Sequence, residues 1–156
     1  MMVIVTLTKV ECEIAAIIGR IRRQISLERQ RRTRRDFTDD GLNNDIESSA
    51  AELAVAKYLN IYPEWSPTAA AVPKFDLNWR GIKLDVKSTQ RITGNLLIDD
   101  LDRTVTYILA CGTRPNFTLK GYLEGERVPE LGIWRTDMPC LPCWFVSAEK
   151  LKPLQK

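Results

Sequence analysis

Asp76, Asp85 and Lys87 are residues whose types and spacing could carry out chemistry. Asp85 and Lys87 are two positions apart, so in a β-strand both side chains point to the same face, about 6.5 Å from each other. Carboxylates are the ligands that hard divalent cations prefer. Such a cation can polarise a phosphate ester and activate water, and a lysine can stabilise the negative charge that develops. The three residues therefore indicate metal-assisted hydrolysis of a phosphodiester.

The segment KFDLNWRGIKLDVKSTQ, residues 74–90, predicts a β-hairpin that would position these residues. Its apolar residues recur at every second position, and Arg80-Gly81 separates the two runs. A turn centred there predicts one apolar face with three pairs, namely Trp79 with Ile82, Leu77 with Leu84, and Phe75 with Val86. The same register places Asp76 directly opposite Asp85, with side-chain stems roughly 4.5–5.5 Å apart. A slip of one residue would break the apolar pairs, so the carboxylates stay opposed.

A divalent cation between the two carboxylates would compensate their repulsion. We expect Mg²⁺ or Mn²⁺, bound by Asp76, Asp85, the backbone carbonyl of Val86 and water. Without Asp76, the presence of Asp85 and Lys87 alone would be explained by the solvated face of an edge strand, with no catalytic role.

A helix predicted over about residues 45–60 offers a further carboxylate, Glu52, on an otherwise small and apolar surface. Glu52 could be a water-mediated ligand or bind a second ion. Alternatively, it reaches solvent or pairs with Lys57. Glu47 is a competitor, but an acid in the first turn of a helix is also expected simply to favour the helix dipole.

A basic first helix precedes this region. Thr8 and Glu11 have the spacing of a capping box, and apolar residues follow at helical spacing, namely Val10, Ile14, Ile17, Ile18, Ile21 and Ile25. Residues 1–35 hold nine Lys and Arg against three Glu, so a polyanion would be attracted here. We expect residues 9–35 to be a helix that ends in a basic arm. Five arginines are candidates for phosphate binding, with a solvated helix end as the alternative: Arg29, Arg31, Arg32, Arg34 and Arg35.

Length and composition limit the remaining possibilities. The 156 residues suit one domain, and the absence of histidine excludes histidine-dependent catalysis and histidine metal sites. The Cys140 and Cys143 pair could supply only two zinc ligands, so structural thiols are expected. With no apolar run long enough to span a bilayer and no basic segment before the apolar N-terminus, we expect an intracellular, cytoplasmic, soluble protein without membrane contact.

The order of elements predicts an α/β, more specifically α+β, fold: a central mixed sheet flanked by helices. Beyond the hairpin, strands are expected at residues 95–98, 104–111, 117–123 and 143–146, with a final helical turn in SAEKLKP.

These motifs resemble the PD-(D/E)XK nuclease superfamily, which has the restriction-endonuclease-like fold. FDLNWRGIKLDVKS is similar to its signature, and AAELAVAKYLN resembles the helix that supplies its additional glutamate. The segments TYILACGTRPNFTLKGYLEGERV and CWFVSAEKLKPL are similar to the pattern that follows in small phage and bacterial members. The resemblance covers about residues 46–154 and departs from the signature where Phe75 replaces proline.

The resemblance implies a single nuclease domain in which Asp76 and Asp85 bind metal, Lys87 is catalytic and Glu52 is the helix carboxylate. It places Gln90 near the site, where we expect a nucleic-acid contact. We expect a small DNA endonuclease of restriction, homing or junction-resolving type, working as a homo-oligomer whose first helix is a candidate interface. The alternatives are a non-catalytic DNA-binding module on the same fold and a nuclease acting on RNA.

Overall fold

The computed structural model describes residues 2–28, 41–63, 75–137 and 142–155. Within them lie three α-helices, at Lys9–Glu28 (α1), Gly41–Leu59 (α2) and Val128–Leu131 (α3). The described strands are Val3–Thr6 (β1), Leu77–Trp79 (β2), Ile82–Thr89 (β3), Leu96–Ile98 (β4), Thr106–Thr113 (β5), Asn116–Glu124 (β6), Ile133–Arg135 (β7) and Cys143–Val146 (β8). The mixed α and β content agrees with the expected fold class.

The larger sheet has the strand order β1-β6-β5-β3-β2. Its β3 and β5 strands run parallel, whereas β1 with β6, β5 with β6, and β2 with β3 are antiparallel, so the predicted mixed sheet is confirmed. A smaller antiparallel sheet has the order β4-β8-β7, and the sequence did not predict it as a separate layer.

Two apolar cores lie on opposite faces of β5. Ile108 and Ala110 point into a core shared with α2, here called the helix-side core. Tyr107 and Leu109 point into a core shared with β4 and β8, here called the small-sheet core. Alternate side chains of a strand face opposite sides of its sheet, so β5 is buried on both. The strand next to it, β3, carries Asp85 and Lys87.

Helix α1 begins as its capping box predicts. The Thr8 backbone N–H donates to Glu11 Oε2 at 2.6 Å, and the Glu11 N–H donates to Thr8 Oγ1 at 3.2 Å. This reciprocal pair satisfies two backbone donors that a helix N-terminus would otherwise leave without partners.

Helix α1 packs through small residues. Its buried residues are Ala15, Ala16 and Gly19. A Cβ atom built on Gly19 would lie 2.5 Å from the Ile46 Cα on α2, so the two helices approach each other at this glycine. Four members of the apolar stripe lie instead on the opposite, exposed face, with exposed fractions of 64% for Val10, 40% for Ile14, 55% for Ile17 and 39% for Ile21.

Beyond the hairpin, the strand predicted at residues 143–146 is found with the same bounds, and the other three are found with shifts of one or two residues at their ends. Helix α2 begins four residues earlier than expected, at Gly41, and ends at Leu59. Strands β1 and β7 and the short α3 were not predicted. The final turn expected in SAEKLKP is a 3-10 turn at Ala148–Lys150. Within the described ranges, no helix combines the length and apolarity needed to cross a bilayer.

Candidate functional site

The hairpin keeps the predicted register from its turn back to Leu77. Trp79 pairs with Ile82 and Leu77 pairs with Leu84, as expected. The Asp76 backbone N–H, however, also donates to the Leu84 carbonyl, at 2.8 Å. Two consecutive residues that share one partner on the facing strand form a β-bulge, which bends the strand and changes the direction of its side chains.

The bulge corrects two predicted pairs. Phe75 does not face Val86: Phe75 packs against the small-sheet core, whereas Val86 lies in the helix-side core. Asp76 is therefore not the direct partner of Asp85 in the ladder. Its carboxylate instead accepts a hydrogen bond from the Val86 backbone N–H, with Oδ2 2.7 Å from the nitrogen. Because the N–H and C=O of one strand residue point to the same side, the Val86 carbonyl faces the edge where Asp76 lies.

Asp85 and Lys87 form an ion pair on β3. Lys87 Nζ lies 3.0 Å from Asp85 Oδ1. The Lys87 ammonium also lies 5.8 Å from the centre of the Tyr107 ring on the adjacent β5. An ammonium over the face of an aromatic ring is attracted by it, so the ring and the carboxylate together position this lysine at the sheet surface.

Glu52 on α2 is 5% exposed, and its partner is Arg22 of α1. Arg22 Nη1 lies 2.7 Å from Glu52 Oε1 and 3.5 Å from Ser49 Oγ. The predicted alternative partner, Lys57, pairs instead with Glu11 at 2.8 Å. Sequence reasoning missed Arg22, although its spacing from Ala15 and Gly19 places it beside the buried face of α1. Helix α1 therefore contributes to the site, although the family resemblance did not include it.

Glu47 has a different role from Glu52. It is also buried, and because α2 begins at Gly41 it lies beyond the first turn, where the helix-dipole interpretation had placed it. Glu47 Oε1 accepts from Arg114 Nε at 2.8 Å, and Oε2 accepts from the Arg114 backbone N–H at 2.9 Å. Both carboxylate oxygens are thus used to hold the end of β5.

The carboxylates influence each other electrostatically. Burial raises the pKa of Asp76 well above its ordinary value, and the negative charges of Glu52 and Asp85 raise it further. Burial also raises the pKa of Asp85; Lys87 opposes this rise, whereas Asp99 and Asp102 add to it. Burial lowers the pKa of Arg22, but the charge and hydrogen bond of Glu52, together with the charges of Asp76 and Asp45, outweigh burial and the pKa is raised. The charges of two other carboxylates therefore act on Asp76, which holds its proton more tightly than an exposed aspartate.

One oxygen of the Glu52 carboxylate is relevant to cation binding. Its second oxygen, Oε2, is buried and has no hydrogen-bond partner in the described part of the chain. A buried carboxylate oxygen without a donor is unfavourable, and a cation would satisfy it. Over the same described residues, no group of three or more His, Cys, Asp or Glu side chains is arranged as a metal site. The donor set fits a hard cation in chemistry, while Arg22 and Lys87 compensate Glu52 and Asp85 in the present arrangement.

The remaining predicted residues have a different hydrogen-bond partner or lie outside the described residues. Gln90 Nε2 donates to Asn44 Oδ1 at 3.0 Å, so it ties the end of β3 to α2. The five candidate phosphate-binding arginines, Arg29, Arg31, Arg32, Arg34 and Arg35, and also Cys140, lie outside the described ranges. A surface depression of about 500 Å³ is lined by Glu47 and Arg114 and does not include Asp76, Asp85, Lys87 or Glu52.

No protein-family model, curated protein or solved structure matches the chain.

Proposed function

We propose that this protein is a divalent-cation-dependent nuclease that hydrolyses phosphodiester bonds in DNA. The observation that carries the proposal is the arrangement of carboxylates around the hairpin. Asp76 is held by the Val86 N–H next to Asp85 on β3, and Glu52 of α2 has a buried oxygen without a donor in the described part of the chain. Asp76 lies close enough to Glu52 and Asp85 for both charges to raise its pKa, although the three come from a bulge, a helix and a strand. Folding tolerates this repulsion, which is expected where the carboxylates serve a function.

The proposed ligands are Asp76, Asp85, the Val86 carbonyl and Glu52, and the proposed cation is Mg²⁺ or Mn²⁺. When bound, the cation would polarise the phosphodiester and activate the attacking water. The Val86 N–H holds the Asp76 carboxylate in place at 2.7 Å. Such a hydrogen bond fixes the orientation of one ligand before the cation arrives.

Lys87 is proposed to stabilise the anionic transition state. Its ammonium is held by Asp85 at 3.0 Å and by the Tyr107 ring, and its side chain is 28% exposed. A cation that is positioned but still accessible can donate to a phosphate oxygen at little cost in reorganisation. Binding of Asp85 to a metal would weaken its ion pair with Lys87. The Lys87 ammonium could then interact more strongly with the phosphate.

DNA is proposed as the substrate, and a small endonuclease of restriction, homing or junction-resolving type as the class. The basic composition of residues 1–35 supports a polyanionic substrate. RNA is an alternative that the same charge would also attract. A cytoplasmic location belongs to the same proposal.

A cleavage assay tests this function. The wild-type protein is incubated with plasmid, single-stranded, branched DNA and RNA, with Mg²⁺, Mn²⁺ or a chelator. We expect cleavage of DNA that requires the cation. Lys87→Ala should lower the rate constant by about 10²- to 10³-fold, the cost of removing one transition-state donor. Lys83→Ala is the matched control and should cleave like wild type. Lys83 lies on the same strand and the same face as Lys87, but its ammonium lies over Phe75, 5.6 Å from the ring centre.

A second pair of variants separates the two buried glutamates of α2. Glu52→Gln should lower cation-dependent cleavage, whereas Glu47→Gln should retain it, because Glu47 uses both oxygens on Arg114. Equal activity of Lys87→Ala and wild type, or no cleavage of any substrate, would contradict the proposed function.

The second candidate is a DNA-binding module without catalysis. It is favoured by the ion pairs of Arg22 with Glu52 and Lys87 with Asp85, which compensate two carboxylates without a metal. Binding to DNA without cleavage in either cation would support this alternative.

A further inference from the structure

The exposed stripe of α1 has the spacing of a helix-pairing seam. Val10, Ile14, Ile17 and Ile21 are separated by four, three and four residues, which is the repeat of apolar residues in coiled coils. All four are exposed, between 39% and 64%. They lie opposite the face that packs on α2, so helix formation and packing within the chain leave this row uncovered. The seam ends at Gln24, which is hydrogen-bonded to Glu28 at 3.1 Å.

The charges beside this seam are self-complementary. Glu13 and Arg20 lie seven residues apart, which is two turns, and therefore border the seam on the same side. Both are exposed, and neither has an ion-pair partner among the described residues. Two antiparallel copies that bring Ile14 of one opposite Ile17 of the other bring Glu13 near Arg20 of the second copy, and the reverse.

We propose that α1 pairs with α1 of a second copy of this chain, antiparallel about a two-fold axis, through Val10, Ile14, Ile17 and Ile21. A parallel arrangement is disfavoured, because the side bearing Glu13 and Arg20 would then face Ile18 and Ile25, which offer no opposite charge. In the antiparallel arrangement the Glu13–Arg20 pair forms twice, once on each side of the axis. This inference does not depend on the proposed nuclease activity.

Sedimentation velocity on the full chain tests the pairing, over protein concentrations from about 1 to about 100 µM. We expect a reversible monomer–dimer equilibrium for the wild type. Ile17→Glu should weaken dimerisation at least about tenfold, because it places a charge in the apolar seam. Ile92→Glu is the matched control, since Ile92 is 66% exposed and lies outside α1, and it should dimerise like wild type. Circular dichroism checks that each variant remains folded.

Charge reversal tests the direction of the helices. Glu13→Arg and Arg20→Glu, each alone, should weaken dimerisation by placing like charges together, and the double variant should restore it. A wild type that stays monomeric over the whole range overturns the pairing. So does dimerisation that Ile17→Glu leaves unchanged. Failure of the double variant to restore what the single variants lose overturns the antiparallel arrangement. Asp85→Asn, which would abolish the proposed cleavage, should dimerise normally, so the two proposals can fail separately.

Discussion

Removing the guanidinium of Arg22 should destabilise the protein through Glu52. Arg22 provides the ion-pair partner of Glu52, at 2.7 Å, and the other oxygen of the carboxylate has no donor in the described part of the chain. In Arg22→Ala the buried carboxylate would lose that partner. Exposed ion pairs contribute about 1 kcal/mol or less, and breaking a buried pair costs about 3–5 kcal/mol.

The expected loss in Arg22→Ala lies between these limits because the two partners differ in exposure. The Glu52 side chain is 7% exposed and the Arg22 side chain is 36% exposed, so solvent screens part of the interaction. We expect the free energy of unfolding to fall by about 2 kcal/mol. For a domain of this length, that corresponds to a decrease in Tm of about 4–8 °C.

Urea unfolding and thermal melts at low protein concentration measure this loss. Arg20→Ala is the control, because Arg20 lies on the same helix but is exposed, and it should retain wild-type stability. In Arg22→Ala/Glu52→Gln the buried charge is removed as well, and most of the lost stability should return. Mn²⁺ should raise the Tm of Arg22→Ala more than that of wild type, because Glu52 is then available to a cation.

An Arg22→Ala variant as stable as wild type would contradict the stabilisation of Glu52 by Arg22. A double variant less stable than Arg22→Ala would contradict it as well. Either result would mean that the unfavourable burial of Glu52 is compensated by some other interaction.

Three further variants test other parts of the structure. Because the folded-state pKa of Asp76 is raised, the folded chain binds more protons between the ordinary and the raised pKa, so stability should fall as pH rises through that window. Asp76→Asn should reduce this fall in urea unfolding from about pH 4 to pH 8, while the part due to the raised pKa of Asp85 remains. An unchanged pH dependence would contradict the effect ascribed to Asp76. Gly19→Ala should lower stability by about 1–3 kcal/mol in the same assay, because its Cβ would meet the Ile46 backbone; a more stable variant would show that helix propensity outweighs the contact. Glu47→Ala should cost on the order of 2 kcal/mol, because both Arg114 donors lose their acceptor, and a neutral result would mean that water replaces the carboxylate.

Local patterns predicted the elements that depend on local rules. The capping box at Thr8 and the alternation in β3 each specify one structure over a few residues, and both are found. Strand β1 was missed because its four residues, Val3–Thr6, carry no turn signal of their own and are ordered by pairing with β6. The isoleucines of α1 indicated a helix, but their apolarity did not show which face packs on α2. Close approach of two helices requires small residues, and the face that packs on α2 is therefore the one that carries Gly19.

The candidate site shows the same division between local and long-range information. The residues Asp76, Asp85 and Lys87 could be found from alternation and spacing. The β-bulge at Asp76 could not, because no local pattern marks it and it accompanies long-range packing of Phe75 against the small-sheet core. That bulge turns the Asp76 carboxylate to the Val86 N–H and brings it under the influence of Glu52. An ideal hairpin would have placed only two carboxylates together. The departure from the ideal register is therefore what allows a helix carboxylate, with its Arg22 partner, to join the strand residues.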